Sequence, residues 1–440
     1  MTATVAQSLA RHATEWQADV ATPQRAAATD NAVVDWFGVT LAGSGAGAAR
    51  ALATGLSSTP EGSRLIGSGQ RAPVTVAALV NGTAAHVLEL DDIYAPGLFH
   101  PGAPIVAAAF AVADERGDSV PKWKSAVTTG YEVGCRVARD LGPAHYAHWH
   151  TTGTAGTVGA AAAVAVLLGL SAEPFAHALS LAATMSAGLQ QTFRSDAMGK
   201  PLHSGNAAHA GAVAAIAAAN GVTGASDVFE GTAGLAAATG AATSWEHSRL
   251  PFEGPAAIEQ ITVKPFPCCG HTFAPIAAAL RLRQDGIDPA GIATIEVATY
   301  SAAIAVAGIA APRSPQERRF SIPFTVARAL TDGAVHESGF ASSDPALDEL
   351  CAEVVLTVDD RFEQAFPDRR GARVVVTTTS GQRHEVGVPD RPGSPQNPLT
   401  AADIDAKFLA AVAPVLGERS REALDRLRGN ATAVGDLVVV

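Results

Sequence analysis

The chain has 440 residues, of which 48% are hydrophobic and 17% are charged, with a formal net charge of −11 at pH 7. This composition excludes an intrinsically disordered chain, which has few hydrophobic residues and a high density of charge. The 31 basic residues are outnumbered by 42 acidic ones and are scattered along the chain, so we expect no nucleic-acid partner.

From residue 22 to about residue 240, apolar residues recur at helical spacing between glycine, proline and polar turns. Alanine and glycine are abundant while aromatic residues supply only 5%, which favours closely packed helices over aromatic-rich sheets. The pattern predicts a large all-helical domain with helices over residues 24–42, 74–90, 103–116, 125–141, 156–168, 174–189 and 206–220.

The pattern changes after about residue 261. Short segments rich in Val, Ile and Thr predict strands over residues 292–300, 353–358, 373–378 and 384–388. Helical runs lie at residues 272–284 and 323–331. A proline-rich linker is predicted at residues 390–400, and helical runs return at residues 401–415 and 420–427. The sequence therefore predicts a mainly α protein, with an all-helical domain of residues 1–260, completed by residues 398–440, and an α+β domain of residues 261–397.

The location of the protein is predicted from its cysteines and its N-terminus. The four cysteines match neither a CxxC metal motif nor a disulfide framework. The first ten residues lack the basic segment and apolar run of a secretory signal, and the longest apolar run, residues 155–170, is shorter than the roughly 20 residues that cross a bilayer. We expect a cytoplasmic protein with no membrane partner.

The first candidate stretch runs from His86 to Gly102 and contains Asp91, Asp92 and His100. A predicted helix ends there and gives way to a Pro/Gly loop, which is a common place for functional residues. The alternative is that the two carboxylates are solvated surface charges and His100 fills a turn.

The second stretch contains His145, His148 and His150 and leads into a Thr- and Gly-rich helix start. Backbone amides at a helix start can bind an anion, and a neighbouring imidazole can donate to the same carboxylate. Three histidines also suggest a metal, but they lack the paired spacing of a zinc site, so we expect no metal and consider a polar surface loop as the alternative.

The third stretch contains Arg194, Lys200 and His203. Lys200 stands between a glycine and a proline, just before a predicted Ala-rich helix that offers it no carboxylate partner. A lysine held in a partly desolvated pocket can act as a general base. The alternative is an exposed loop lysine.

The fourth stretch places His271 where the composition changes, near a predicted domain boundary. Clefts between domains are preferred sites for small ligands, although the histidine could also cap the following helix. The chain contains no convincing Gly-rich phosphate loop and no GxSxG elbow, so neither a dinucleotide enzyme nor a serine hydrolase is expected.

In this order, the four stretches resemble the MmgE/PrpD family, whose members include 2-methylcitrate dehydratase, cis-aconitate decarboxylase and iminodisuccinate epimerase. Residues 35–43, 320–333 and 393–408 extend the resemblance along the chain. It implies a helical domain, a smaller α+β lid domain, a homodimer, and a cofactor-free active site for a small polycarboxylate between the domains. It also implies that the site contains Asp91 or Asp92, His100, His150, Lys200 and His271.

Two departures from the family pattern affect the expected reaction. Family dehydratases and decarboxylases usually read Asp-Phe-Asp-Asp-Thr-His where this sequence has residues 89–94 as Glu-Leu-Asp-Asp-Ile-Tyr, and family decarboxylases have a tyrosine at the position of Phe324. Because polar contacts are lost, the resemblance favours an epimerase of an iminodisuccinate-like amino-polycarboxylate. The alternatives are a 2-methylcitrate or citrate dehydratase, a cis-aconitate decarboxylase, and a non-catalytic helical binding protein.

An epimerase without a cofactor needs one base that removes the α-proton and one acid that returns it on the opposite face. The predicted proton-transfer pair is Lys200 and Tyr146, although Tyr146 could instead serve packing alone. The remaining predicted site residues are His100, His150 and His271 as catalytic groups, and Asp91, Asp92, Arg194 and His203 as substrate-binding groups.

Overall fold

The computed structural model describes residues 3–16, 22–56, 58–194 and 197–438. The chain divides into two compact units. The first, here called the helical unit, comprises Met1–Val263 and Thr400–Val440, and the second, here called the mixed unit, comprises Lys264–Leu399. The predicted fold class, a large helical part with a smaller α+β part, is confirmed.

The main stretch of the helical unit contains helices and one short antiparallel ribbon. Its helices are α1 (Val5–Glu15), α2 (Pro23–Gly43), α3 (Gly47–Gly55), α4 (Val74–His86), α5 (Gly102–Arg116), α6 (Val120–Tyr146), α7 (Thr151–Leu167), α8 (Ala172–Met185), α9 (Lys200–Ala219), α10 (Leu235–Thr239) and α11 (Glu246–Arg249). Strands β1 (Ser63–Arg64) and β2 (Arg71–Ala72) form the ribbon. None of the helices described in the chain is long and apolar enough to cross a membrane.

Two helix ends differ from the prediction, and both lie near the candidate residues. Helix α4 ends at His86 rather than at residue 90, because Glu89 adopts a left-handed backbone conformation with φ 56° that cannot continue the helix. Helix α9 begins at Lys200 rather than at residue 206. Pro201 is tolerated in its first turn, where the missing amide costs no hydrogen bond.

Glycines bring the central helices into close contact. A Cβ atom at Gly159 of α7 would lie 2.9 Å from the carbonyl oxygen of Gly130 and 3.1 Å from Cα of Gly134, both on α6. A Cβ atom at Gly211 of α9 would lie 2.7 Å from the carbonyl oxygen of Thr157 on α7. Larger residues would push these helices apart, so the abundance of small residues reflects close helix packing.

The mixed unit is built on a four-stranded sheet. Its strands are β3 (Ile292–Thr299), β4 (Val354–Val358), β5 (Ala372–Thr378) and β6 (Arg383–Val388), in the order β4-β3-β5-β6. Strands β3 and β4 are parallel, and the other pairs are antiparallel. Its helices are α12 (Phe273–Gln284), α13 (Ser301–Ala307), α14 (Pro315–Arg319), α15 (Ile322–Asp332), α16 (Pro345–Ala352) and α17 (Asp360–Ala365). Apolar residues of α12 and α15 form a core with Ile295, Val297, Val374 and Val376 of the sheet.

The last helices, α18 (Ala401–Leu416) and α19 (Ser420–Arg428), belong to the helical unit. Phe408 of α18 packs over Gly38 of α2, where a Cβ atom would lie 2.9 Å from the phenylalanine ring. Lys407 pairs with Asp35 at 2.5 Å and donates a hydrogen bond to the carbonyl oxygen of Leu90 at 2.9 Å. The end of the chain therefore holds the segment that follows α4.

Candidate active site

The ends of four helices in the helical unit bring histidines and a lysine together. His86 is the last residue of α4, His100 precedes α5, His150 is the N-cap residue of α7, and α9 carries Lys200 and His203 in its first turn. The His86 ring centroid lies 4.9 Å from that of His100 and 5.5 Å from that of His150. The His150 and His203 centroids are 5.4 Å apart. We call these five residues the histidine–lysine cluster.

Most of the histidine–lysine cluster had been predicted from the sequence. His100, His150, Lys200 and His203 were candidates, whereas His86 was seen only as the start of a stretch. His86 could have been identified as a candidate because it stands five residues before Asp91, at the end of a predicted helix.

A buried carboxylate orients two of the imidazoles. Asp91, which is 2% exposed, has its Oδ2 atom 2.6 Å from Nδ1 of His86 and 3.4 Å from Nδ1 of His100. Nδ1 of His100 also lies 2.8 Å from the carbonyl oxygen of Asp92, which can only accept a hydrogen bond. The Nδ1 atom of each ring therefore carries the proton, and in a neutral ring the lone pair is left on Nε2.

The side chains of His86, Asp91 and His100 also offer three possible metal ligands within 4.8 Å of one another. Two ligands of one tetrahedral zinc ion lie about 3.3 Å apart, given bonds of about 2.0–2.2 Å. The 2.6 Å distance from His86 to Asp91 is instead that of a strong hydrogen bond. The geometry of this group is therefore that of a hydrogen-bonded triad.

Asp92 is engaged in holding the start of α5. Its Oδ1 atom accepts a hydrogen bond from the amide of Gly102 at 2.9 Å, and its Oδ2 atom accepts one from the hydroxyl of Tyr131 at 2.7 Å. Burial, together with the negative charge of Asp91, raises the pKa of Asp92 to about 7 in spite of these bonds. Its predicted role in substrate binding stays a prediction.

Lys200 forms an ion pair with Glu89, and its Nζ atom lies 5.3 Å from the ring centroid of Phe193. The carboxylate partner of Lys200 is 111 positions away and does not lie in the Ala-rich helix that Lys200 begins. The left-handed backbone of Glu89 turns the chain sharply after α4. The two side chains are 17% and 14% exposed, so the pair is accessible to a small anion.

His150 and His203 contact each other, with their Nδ1 atoms 3.2 Å apart. Burial, helped by the charges of His86 and Lys200, holds the pKa of His150 well below its usual range. Burial and the same two neighbours lower the pKa of His203 to about 4. Both imidazoles are therefore neutral at pH 7, the form in which an imidazole can accept a proton.

The second and third stretches also contain His145, Tyr146 and Arg194. His145 is buried, and its Nε2 atom lies 2.8 Å from the hydroxyl of Thr154, a bond within the fold. Tyr146 is the half-buried last residue of α6. The side chain of Arg194 is outside the described part of the chain, so its predicted role stays a prediction.

In the mixed unit, His271 has a different environment. Its Nδ1 atom lies 2.7 Å from the hydroxyl oxygen of Tyr300, whose ring stacks on Phe366 with centroids 4.7 Å apart. Burial, followed by the charges of Arg370 and Arg391, lowers the pKa of His271 to about 3. Arg391 is only 3% exposed, and burial beside Arg370 lowers its pKa to about 9.

We call His271, Tyr300, Arg370 and Arg391 the His271 group. Sequence reasoning identified only its histidine. Tyr300 follows the last residue of β3, and Arg391 lies in the segment interpreted as a linker, so no local motif joined them to His271. A buried arginine inside a supposed linker could not be distinguished from an exposed one by sequence pattern.

Two of the positions that depart from the family pattern, Phe324 and Tyr94, are packed inside their own units. Phe324 is 1% exposed and lies in the core of the mixed unit, with the guanidinium groups of Arg318 and Arg328 within 5.7 Å of its ring centroid. Tyr94 is buried in the helical unit, and burial raises the pKa of its hydroxyl to about 12.

The helical unit contains neutral imidazoles beside a lysine, and the mixed unit contains an imidazole whose pKa is lowered by burial and by the charges of two arginines. Groups of this kind can bind anions and transfer protons. Residues 7–248 match the MmgE/PrpD N-terminal domain, and residues 266–430 match the MmgE/PrpD C-terminal domain. The chain belongs to the MmgE/PrpD family, as its sequence predicts.

Named relatives also match the chain, two of them over most of its length. A cis-aconitate decarboxylase of Homo sapiens is 25% identical over 395 residues, which are 84% of this chain and 79% of the relative. A cis-aconitate decarboxylase of Aspergillus terreus is 22% identical over 405 residues, 84% of this chain and 81% of the relative. A cis-aconitate decarboxylase-like protein of Aspergillus oryzae is 29% identical over 181 residues, 39% of this chain and 37% of the relative. These names favour a lyase and give no support to the epimerase prediction.

Proposed function

We propose that the chain is an enzyme that transfers a proton at a carbon next to a carboxylate of a small polycarboxylate, and that decarboxylation of a cis-aconitate-like substrate is its reaction. The observation that carries this proposal is the histidine–lysine cluster, in which neutral imidazoles contact one another beside a cationic lysine. The names of the relatives support the choice of decarboxylation.

Two features of the helical unit suit a carboxylate ligand. Lys200 supplies an accessible ammonium group. At the start of α7, the amides of Thr151 and Thr152 have no hydrogen-bond acceptor among the described residues, because the first backbone bonds to His150 begin at Gly153. Amides at a helix start and a nearby ammonium group together favour an anion.

The imidazoles supply the chemistry of the proposed reaction. When carbon dioxide leaves, the electron pair of the broken carbon–carbon bond stays on the substrate and must take up a proton. An imidazole N–H can give that proton, and a positive group nearby stabilises the charge as it develops. His100, His150 and His203 lie close enough to one another to share these tasks.

The second candidate is epimerisation of an iminodisuccinate-like amino-polycarboxylate. It is supported by the isoleucine and tyrosine at positions 93 and 94 and by Phe324, which replace polar residues of the family decarboxylases. The reaction needs the same proton removal but returns the proton on the opposite face. Lys200 and Tyr146 remain the proposed pair for this reaction.

The test is incubation of the purified chain with cis-aconitate, iminodisuccinate or 2-methylcitrate in deuterated water, followed by NMR and mass spectrometry. Release of carbon dioxide with one carbon-bound deuterium in the product is the expected result for cis-aconitate. Deuterium exchange without loss of mass from iminodisuccinate would favour the epimerase, and loss of water from 2-methylcitrate the dehydratase. If none of the three acids reacts and none raises the melting temperature, the enzymatic proposal is wrong.

A further inference from the structure

We propose that His150 and His203 form a proton couple, in which one shared proton allows one ring to give a proton to the substrate while the other ring takes one up from water. The inference rests on the proposed function, because it concerns how the helical unit moves protons on a bound polycarboxylate. It assigns His203, predicted only to bind substrate, a part in the proton transfer.

The distance between the rings dictates a shared proton. The two Nδ1 atoms are 3.2 Å apart, which is hydrogen-bond distance. Two lone pairs or two N–H groups would repel each other there, so one Nδ1 atom is a donor and the other an acceptor. Two neutral rings then differ in tautomer. The donor ring has its lone pair on Nε2, whereas the acceptor ring has its proton on Nε2.

The backbone holds the two rings in this contact. A Cβ atom at Gly188 would lie 3.2 Å from Nδ1 of His203 and 3.5 Å from Cβ of His150. Gly188 has a φ of 127°, a conformation that favours glycine, and its carbonyl oxygen accepts the amide hydrogen of His150 at 2.8 Å. The close backbone fixes the position of both rings.

The surroundings keep the pair neutral. Charged or titratable groups face it from three directions: His86 at the end of α4, His100 before α5, and Lys200 in the first turn of α9. Burial and these neighbours oppose a second proton on the pair. Within the described ranges, no residue forms a hydrogen bond to Nε2 of His150 or of His203, so both atoms are left for a substrate.

The transfer balances for one proton. As carbon dioxide leaves, the acceptor ring gives its Nε2 proton to the substrate carbon, which holds the electron pair of the broken carbon–carbon bond. The Nδ1 proton of the donor ring moves to Nδ1 of the acceptor ring, and the donor ring takes up a proton from water at Nε2. Both rings end neutral with their tautomers exchanged, so a base and an acid arise from one pair of side chains.

The first experiment reads the tautomers without any need for activity. Protein labelled with ¹⁵N-histidine is examined at pH 7 by ¹⁵N NMR, with His203→Asn and His150→Asn used to assign the two rings. The expected spectrum has one ring protonated on Nδ1 and the other on Nε2, with a coupling between the two Nδ1 nitrogens. If both rings carry their proton on Nε2, the proton couple does not exist.

The second experiment measures turnover of the acid that reacts in deuterated water. We expect His203→Asn, which keeps a hydrogen-bonding group but cannot pass a proton, to lower kcat about 100-fold with little change in KM. Imidazole in the buffer should restore part of the activity of His203→Ala. The matched control is His209→Asn, because His209 lies on the same helix and its Nδ1 atom lies 3.0 Å from the carbonyl oxygen of Thr75, a contact within the fold.

The outcomes separate this inference from the proposed function. Turnover by His203→Asn at the wild-type rate would overturn the proton couple and leave the proposed function intact. If no acid reacts with the wild-type protein, the proposed function fails, and the tautomers seen by NMR still decide whether the two rings share a proton.

Discussion

The histidine–lysine cluster of the helical unit and the His271 group of the mixed unit use histidine in opposite settings. In the cluster, imidazoles contact other imidazoles and the buried carboxylate of Asp91, so protons can move between neighbours. In the His271 group, one imidazole lies with a tyrosine and two arginines, whose charges are fixed at neutral pH. Burial lowers the histidine pKa in both places, yet the neighbours differ. We infer that the cluster is built to transfer protons and the His271 group to hold a negative charge.

The largest expected effect comes from Lys200→Ala. Removing the ammonium group leaves the carboxylate of Glu89 half-buried and unbalanced where a substrate anion must bind. We expect kcat/KM to fall about 1,000-fold, the scale of losing a group that stabilises developing charge. Steady-state kinetics with cis-aconitate measure this change in kcat/KM. Lys122→Ala, at an exposed lysine of α6 that pairs with Asp118, is the matched control and should keep full activity.

The next effect concerns stability and the titration of Asp92. Its pKa is raised from 3.8 to about 7, so between these values the folded state keeps a proton that the unfolded state has lost. The carboxyl group therefore contributes stability at low pH that is lost as pH rises through about 7. Asp92→Asn should remove this loss. As pH rises from about 5 to about 8, the free energy of unfolding of Asp92→Asn should therefore increase relative to that of wild type by on the order of 3 kcal/mol.

Urea unfolding at several pH values measures this difference. The control is Asp118→Asn, at a carboxylate on the surface that pairs with Arg116 and Lys122. A constant difference between Asp92→Asn and wild type across the whole pH range would mean that Asp92 stays ionised in the folded protein.

A smaller effect tests the role assigned to the His271 group. If Arg370 holds a substrate carboxylate, Arg370→Ala should raise KM about 10-fold and change kcat little, because a hydrogen bond to a charged group contributes about 1.5–3 kcal/mol. The adjacent Arg369 pairs with Asp390 on the outside of the unit, so Arg369→Ala is the control. A fall in kcat with unchanged KM would contradict the inference that the His271 group holds a negative charge and the histidine–lysine cluster transfers protons.

The smallest effect is expected from Glu89→Gln. The change removes the negative charge that competes with substrate for Lys200, so cis-aconitate should bind about threefold more tightly, in line with partly exposed ion pairs. Calorimetry at low and moderate salt measures the Kd, and Glu89→Asp should stay near wild type. Weaker binding by Glu89→Gln would indicate that Glu89 positions Lys200 for the substrate instead of competing with it.

The sequence predicted what depends on local pattern. The strands of the mixed unit are short segments rich in Val, Ile and Thr, and the central helices repeat apolar residues at helical spacing, so both could be predicted. The left-handed turn at Glu89 was not, because glutamate rarely adopts that conformation. The pairing of Lys200 with Glu89, and the partners of His271, depend on contacts between distant segments, which no spacing rule reveals.

The most direct test of the account is a crystal structure of the chain with cis-aconitate bound. We predict a substrate carboxylate within about 3 Å of Nζ of Lys200, and a neighbouring carbon within about 3.5 Å of Nε2 of His150 or His203. An acid bound at full occupancy with Lys200, His150 and His203 all out of reach would contradict the assignment of proton transfer to the histidine–lysine cluster.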